Sequence, residues 1–367
     1  MKKILYIFWT LIWTLWLFYK IHPVFGTKKR SKYNYSTFKN WKFQNLYIED
    51  IDKPGQSISQ IVFKQLFKNL GYRTPSVPIE NETFDASKFE NNSFVWFGHS
   101  TLLMNLKNNI ILTDPVFYRA SPIAPFWAPF NYKTLPSLQN LPQIDVLLIT
   151  HDHYDHLDYK SIQELKNKIT QFIVPKGVEK HLIQWGIENN KITSLYWYEE
   201  KNIWENTFIF TPTQHYSGRR FTNRCETLWG WFIIQNKDKK IYISGDSWYN
   251  KEFQKIWEKY GPFDLAFMEN GEYADNNTRV HMQPEESLRA SQDVWAQLIV
   301  PIHWCKFDLS THAWYDPIEK YLKYAKEKNI QIMYPRIWEA FSLKNVEKYR
   351  EKWWRKSMTQ EALNDLD

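Results

Sequence analysis

Three imidazoles and two carboxylates fall within six residues at His151-Asp152-His153-Tyr154-Asp155-His156. The apolar run Val146-Leu147-Leu148-Ile149-Thr150, which reads as a buried strand, precedes them directly. Neutral imidazole and ionised carboxylate are the ligands that borderline divalent cations prefer. Alternate residues of an extended segment point the same way, so His151 and His153 can reach one ion. Asp155 and His156 must then face another point in space, which suits a second ion. A purely structural role would require all these polar groups to meet in one loop by coincidence, and the spacing argues for a metal site.

The remaining ligands should stand where strands end, because only such positions are held rigidly enough to complete a coordination shell. Three residues qualify. His215 follows Thr207-Phe-Ile-Phe-Thr-Pro-Thr-Gln, Asp246 follows Ile241-Tyr-Ile-Ser-Gly, and His303 follows Leu298-Ile-Val-Pro-Ile. His22 and His181 lack this position.

Around these residues, apolar runs alternate with loops. Strands are expected at 94–97, 101–106, 110–113, 145–150, 172–174, 207–210, 231–234, 241–244, 265–268, 298–302 and 330–333. Helices are expected at 57–70, 159–168, 178–185, 251–260, 284–297 and 317–328, with Pro284 suited to a first helical position. Two successive sets of alternating strands and helices predict an α/β fold in which sheet packs on sheet, with helices outside.

The chain resembles the metallo-β-lactamase superfamily, whose hallmark is H-x-H-x-D-H after a strand. More narrowly, it resembles N-acyl-phosphatidylethanolamine-hydrolysing phospholipase D and its bacterial relatives. That resemblance rests on Trp96-Phe-Gly-His-Ser-Thr101, Leu112-Thr-Asp-Pro115, Arg119-Ala-Ser-Pro122, Ile149 to Asp158, Phe210-Thr-Pro-Thr-Gln-His215, Gly245-Asp246, Gly261-Pro-Phe-Asp-Leu-Ala266, His281-Met-Gln-Pro-Glu-Glu286 and Ile302-His-Trp304. It implies an αββα sandwich over residues 93–343 and two zinc ions, although iron or manganese can occupy such sites. His151, His153 and His215 would hold one ion, Asp155, His156 and His303 the other, and Asp246 would bridge them. Two ions about 3.5–4 Å apart can sharpen a water molecule into a nucleophile and stabilise charge on phosphoryl oxygens. Asp155, Asp246 and His281 form the implied catalytic set, with His281 protonating the leaving oxygen. His99 and Asp114 are expected to orient metal-bound imidazoles. The implied activity is phosphodiester cleavage of N-acyl-phosphatidylethanolamine or a related phospholipid. A lactonase or esterase would need the same ions, and a non-catalytic metal-binding membrane protein is a third reading. The acidic stretch Met268-Glu-Asn-Gly-Glu-Tyr273 and the Arg279-Val280 pair depart from what a known headgroup pocket would specify.

Charge separates the N-terminus from the rest. The formal net charge is +7, yet nine Lys or Arg and no acid lie before residue 49, which leaves 38 bases against 40 acids in the remaining chain. A near-neutral body argues against a nucleic-acid partner. The nine bases instead flank Ile4–Tyr19, sixteen uncharged residues of which seven are aromatic. At about 1.5 Å per residue this segment spans roughly 24 Å as a helix, against a bilayer core of about 30 Å. Residues 1–26 are therefore expected to be a membrane anchor, with a cleaved signal peptide and an interfacial helix as the competing readings. Membrane association follows from each reading except cleavage. Lys28-Lys29-Arg30-Ser31-Lys32 favours a cytoplasmic body, while Lys2 and Lys3 pull the other way. Residues 27–92 read as a basic, aromatic linker with one helix, and 344–367 as a basic C-terminal helix. The two cysteines, Cys225 and Cys305, have neither zinc-knuckle nor disulfide-framework spacing.

Overall fold

The computed structural model describes residues 2–47, 72–124, 126–134, 137–274 and 280–366. The helix expected at 57–70 lies outside these residues. Two mixed sheets form the body. The first has seven strands in the order Ala340–Ser342, Ser93–Trp96, Leu102–Leu106, Asn109–Thr113, Ile144–Leu148, Ile169–Pro175 and Ile192–Leu195. The second has six, in the order Ala296–Ile302, Phe263–Glu269, Lys240–Ile243, Trp231–Gln235, Asn206–Thr211 and Glu200–Ile203.

Period-two alternation explains why the sheets stack. In the second sheet Phe208, Phe210, Phe232, Ile234, Leu265 and Phe267 join the core shared with the first sheet. Their neighbours Ile209, Trp231, Ile233, Ala266 and Met268 face outward, into a separate cluster with Phe253, Ile256, Leu288 and Tyr321. Those last four sit on helices Glu252–Tyr260, Pro284–Asp293 and Asp316–Glu327, which cover the outer face. Helices Tyr159–Leu165 and Glu179–Gln184 contribute Ile162, Leu165 and Leu182 to the core that includes the first sheet. Helix, sheet, sheet, helix is thus the layer order. Phe94 of the first sheet meets Phe267 of the second with ring centroids 5.8 Å apart, which fixes the contact between them.

Several expectations need correction. Residues 330–333 form no strand; only an isolated bridge, Ile299 to Ile332, occurs there. The helix expected to reach residue 297 stops at Asp293, because Trp295 takes a φ of 49° and the chain enters a strand at Ala296. The C-terminal segment is not one helix. It comprises the 3-10 turns Val346–Tyr349 and Trp353–Ser357 and the short helix Gln360–Asn364. Trp353 and Trp354 are buried there, and Trp353 stacks on Trp304 with centroids 5.8 Å apart. At the other end Lys2–Ile21 is a helix, but no helix among the described residues is long and apolar enough to cross a membrane. Thr10, Thr14 and polar-tipped aromatics interrupt too short a run, so the expected spanning anchor is not supported.

Phe267 is fully buried between the sheets. Phe267→Ala is expected to cost about 3–5 kcal/mol. Urea unfolding should show a lower midpoint with an unchanged slope.

Candidate metal centre

Residues from both sheets converge at the carboxyl ends of strands. His99 follows Ser93–Trp96, Asp114 follows Asn109–Thr113 and His151 follows Ile144–Leu148. From the second sheet, His215 follows Asn206–Thr211, Asp246 follows Lys240–Ile243, Glu269 ends its strand and His303 follows Ala296–Ile302. Three of these residues sit at positive φ: Asp114 at 39°, His99 at 52° and His303 at 68°. Non-glycine residues hold such a conformation only where their surroundings enforce it. Here the His303 amide donates to the His99 carbonyl at 2.8 Å, and the His99 amide to the Trp304 carbonyl at 3.1 Å. The Trp96 indole donates to the same His99 carbonyl at 2.8 Å. Gly271 allows the close approach behind them, since a Cβ there would lie 2.0 Å from the His303 carbonyl oxygen.

The side chains form two adjoining sets. His151 Nε2 lies 2.8 Å from His153 Nδ1, and His215 Nε2 lies 3.3 Å from that same atom. Asp246 Oδ2 is 3.8 Å from His151 Nε2 and 3.7 Å from His215 Nε2. In the second set, His156 Nε2 and His303 Nε2 are 3.3 Å apart. Asp155 Oδ2 is 3.6 Å from the first of these and 3.8 Å from the second. Asp246 Oδ1 is 3.1 Å from His156 Nε2 and 2.9 Å from His303 Nε2. One carboxylate therefore turns one oxygen to each set. Ligand atoms about 2.0–2.2 Å from a tetrahedral ion stand roughly 3.3 Å from one another, and the observed separations bracket that value. Asp246 Oδ1 is also buried without a hydrogen bond of acceptable geometry. The residues present fit a pair of divalent ions.

Neighbouring groups decide which nitrogen of each ring faces the centre. Asp114 accepts from the Thr150 amide at 2.8 Å and the Thr150 hydroxyl at 2.7 Å, and lies 2.8 Å from His156 Nδ1. That arrangement leaves His156 Nε2 free to ligate. His215 Nδ1 donates to the Val280 carbonyl at 3.0 Å, to the same effect. His99 differs from expectation. Its Nε2 lies 3.0 Å from Asp155 Oδ2, so it steadies a carboxylate, while its ring lies tilted against that of His303 with centroids 4.0 Å apart. His281 joins the site, with Nδ1 against Glu269 Oε1 and 4.0 Å from Asp246 Oδ2. Glu269 also accepts from the Ser247 amide at 2.7 Å. Asp246, Glu269, His281 and His303 could themselves group around a cation.

The sequence reading missed three participants. Glu269 was visible only as part of an acidic stretch. Asp152 sits outside both ligand sets. It pairs with His181 at 3.1 Å and accepts from the Gly218 amide at 2.7 Å. Arg219 is buried, and its Nη1 donates to the carbonyls of Asp152 at 2.8 Å and Leu157 at 2.7 Å. A strand-end search could not find a histidine on a helix or an arginine in a loop.

The centre lines a pocket of about 240 Å³ whose wall includes Trp127, Tyr154, Tyr216, Glu272 and His281. Burial lowers the pKa of His151, His153, His215 and His281, and takes His99 down to about 3. These rings are neutral at neutral pH, as metal ligation requires. His156 moves the other way: burial opposes the change, but Asp246, Asp155 and Asp114 outweigh it and raise its pKa. Burial and the Asp246 charge push Glu269 up.

A depressed histidine pKa means that the unfolded chain binds more protons than the fold below the ordinary value. Among the shifted histidines of the centre five are depressed and only His156 is raised, so their share of the stability of the chelator-treated protein falls as pH drops through 6.5 towards about 3, against an opposing contribution from the raised Glu269 carboxyl. The urea midpoint of that protein should drop on acidification; a midpoint that rises would contradict the balance.

Comparison with known proteins agrees with this geometry. Residues 109–304 match the family model described as Beta-lactamase superfamily domain. An uncharacterized protein of Mycobacterium tuberculosis is 36% identical over 245 residues, 65% of this chain and 66% of that one, so the match spans just under two thirds of that relative. N-acyl-phosphatidylethanolamine-hydrolyzing phospholipase D 1 of Caenorhabditis elegans is 33% identical over 261 residues, covering 67% of this chain and 73% of the nematode protein. Among solved structures, a metallo hydrolase from the archaeon Ignicoccus hospitalis superposes with a TM-score of 0.52 at 19% identity, over 68% of this chain and 97% of that one. On its stacked sheets, its converging strand-end histidines and aspartates and these matches, the chain belongs to the metallo-β-lactamase superfamily of hydrolases.

Proposed function

We propose that this chain is a two-metal phosphodiesterase that cleaves N-acyl-phosphatidylethanolamine or a closely related phospholipid on the headgroup side of the phosphate. The observation that carries the reading is Asp246, with one oxygen towards His151, His153 and His215 and the other towards His156 and His303. The name of the nematode relative supplies the substrate class. His151, His153, His215 and Asp246 would hold one ion, and Asp155, His156, His303 and Asp246 the other, with zinc as the expected metal.

When bound, the ions supply Lewis acidity towards phosphoryl oxygens and make a water molecule in the pocket easier to deprotonate. The protein's own side chains do the rest. Asp114 and Val280 fix the tautomers of His156 and His215, and His99 fixes the rotamer of Asp155. His281, held by Glu269 at the pocket wall, is placed to hand a proton from its other nitrogen to the departing oxygen while its Nδ1 takes one from the Glu269 carboxyl, whose pKa is raised. Trp127, Ala120 and Leu309 form the apolar part of that otherwise polar wall.

The purified protein, assayed on N-acyl-phosphatidylethanolamine and on lactones, should release phosphatidic acid and an N-acylethanolamine. Turnover of lactones alone would move the chemistry to a carbonyl substrate. Asp246→Asn should retain its fold by circular dichroism yet lose more than about 10³-fold in kcat/KM. Elemental analysis of the wild type should find two metal equivalents per chain. Asp114→Ala should weaken metal affinity by about 10–100-fold, measured by competition with a chromophoric chelator.

A further inference from the structure

His215 stands beyond the end of the strand Asn206–Thr211, on a loop that is held residue by residue. The Thr213 hydroxyl donates to the Asp246 carbonyl at 2.9 Å. The Gln214 amide donates to the Ser247 hydroxyl at 3.3 Å, and the Gln214 carbonyl accepts from the Trp248 amide at 3.0 Å. Those contacts tie the loop to the one that carries Asp246. The Val280 carbonyl, 3.0 Å from Nδ1, sets the tautomer of the His215 ring. The His215 backbone has a different holder, Asn45, which lies 170 residues earlier in the chain.

The Asn45 side chain donates from Nδ2 to the His215 carbonyl at 2.8 Å and accepts at Oδ1 from the His215 amide at 3.1 Å. A primary amide carries a donor and an acceptor on one planar group. It can therefore satisfy both peptide groups of a single residue, much as a paired strand would. The Trp229 indole, which can only donate, adds a bond to the same Oδ1 at 3.2 Å and so fixes which end of the amide is oxygen. An aspartate here would keep the acceptor and lose the donor, and an alanine would lose both. The two bonds hold His215 against sliding and against turning. That matters for a ligand, because metal–imidazole bonds are confined to about 2.0–2.1 Å and a loop drift of about 1 Å breaks one.

Asn45 is itself well fastened. Phe43 is buried, pairs with Phe38 in a short hairpin, and donates from its amide to the Cys225 carbonyl at 2.8 Å. Upstream, the Tyr35 ring stacks on Tyr196 with centroids 3.7 Å apart and planes within 2°. Downstream, the Tyr47 hydroxyl donates to the buried Glu252 carboxylate and accepts from Lys255 Nζ at 2.5 Å. The Gln214 side chain closes the circle by donating to the Tyr47 carbonyl at 3.4 Å. All of this lies outside residues 109–304, the part that matches the superfamily domain. A segment ahead of the domain thus reaches in to grip one of the residues of its metal centre.

We propose that Asn45 is a positioning residue for the ion held by His151, His153 and His215, and that filling this ion's seat and docking of residues 38–47 are coupled. Linkage makes the coupling reciprocal: a docked leading segment tightens the ion, and the ion tightens the segment. The proposal rests on the metal-ion part of the reading above and not on the substrate.

The full chain, loaded with Zn2+ and titrated with a chromophoric chelator, should release its ions in two steps. Asn45→Ala should weaken one step by about 10–100-fold and leave the other in place. Asp114→Ala, which acts through His156, should weaken the other step. Asn45→Asp should fall between wild type and Asn45→Ala. Thr37→Val removes the Thr37–Tyr196 hydroxyl contact of 2.7 Å, loosening the same segment away from His215, and should leave both steps in place. The visible absorption of the Co2+-loaded protein should change in Asn45→Ala and not in Thr37→Val. Zn2+ should slow hydrogen exchange across residues 38–47 in wild type and not in Asn45→Ala. Urea unfolding of the metal-free proteins identifies a variant that does not fold, and Asn45→Asp then carries the test. Wild-type affinity in Asn45→Ala, weakening of the same step as in Asp114→Ala, or a Thr37→Val defect as large as that of Asn45→Ala each overturns the positioning role. Equal slowing of exchange in wild type and Asn45→Ala overturns the coupling. Wild type that takes up no Zn2+ refutes the two-metal centre together with this proposal, whereas two bound ions without cleavage of any phosphodiester refute the substrate reading alone.

Discussion

Buried imidazoles tolerate close neighbours only if something relieves the crowding of their lone pairs, and that constraint organises this molecule. His151, His153 and His215 form one crowd, and His156 and His303 form the other. Asp246 lies between them with both oxygens engaged. Taking five rings and two carboxylates out of water is costly unless they are paired or ligating. The two stacked sheets, with Phe94 on Phe267 at their interface, provide a frame stiff enough to carry that cost. Strained φ angles at Asp114, His99 and His303 show where the frame holds the backbone against its own preference.

Much of this was legible because hydrophobic period and ligand spacing are local signals. Continuous apolar runs such as Val146–Ile149 marked the central strands, and residues after such runs marked His151, His215, Asp246 and His303. The cluster at 151–156 was expected to separate into two directions by strand alternation, whereas the chain makes that separation with a turn in which the His156 and Leu157 amides donate to the His153 carbonyl. What stayed hidden has physical reasons. Glu200–Ile203 is a largely exposed edge strand whose first three residues are polar, so it carries no apolar period. Ile330–Met333 has the composition of a strand but finds only one bridging partner. The helix from Pro284 ends early because the sheet claims Ala296 onward, a tertiary demand that helix propensity does not register.

Orientation of side chains was less legible than their identity. Asp114 stands behind an imidazole, whereas His99 stands behind a carboxylate. Nothing in the Trp96-Phe-Gly-His-Ser-Thr101 stretch distinguishes these, since both partners lie more than forty residues away. Glu269 and Asp152 were similarly invisible in role: each acts through a histidine distant in sequence or on another element. The N-terminal segment posed a different problem. Its apolarity was plain, but sixteen uncharged residues with two threonines and several polar-tipped aromatics fall short of a crossing.

Arg219 gives the molecule a mechanical property of its own. One arm of its guanidinium grips the backbone at both Asp152 and Leu157, bracketing the loop that carries His153, Asp155 and His156. The other arm, with Nε, grips the Val24 carbonyl just beyond the N-terminal helix. A single rigid, planar cation thus couples the leading segment to the span between the ligand residues, like a strut between a mooring line and a clamp. Tension on the chain's leading end would be transmitted to that clamp through three carbonyl oxygens and almost no intervening slack.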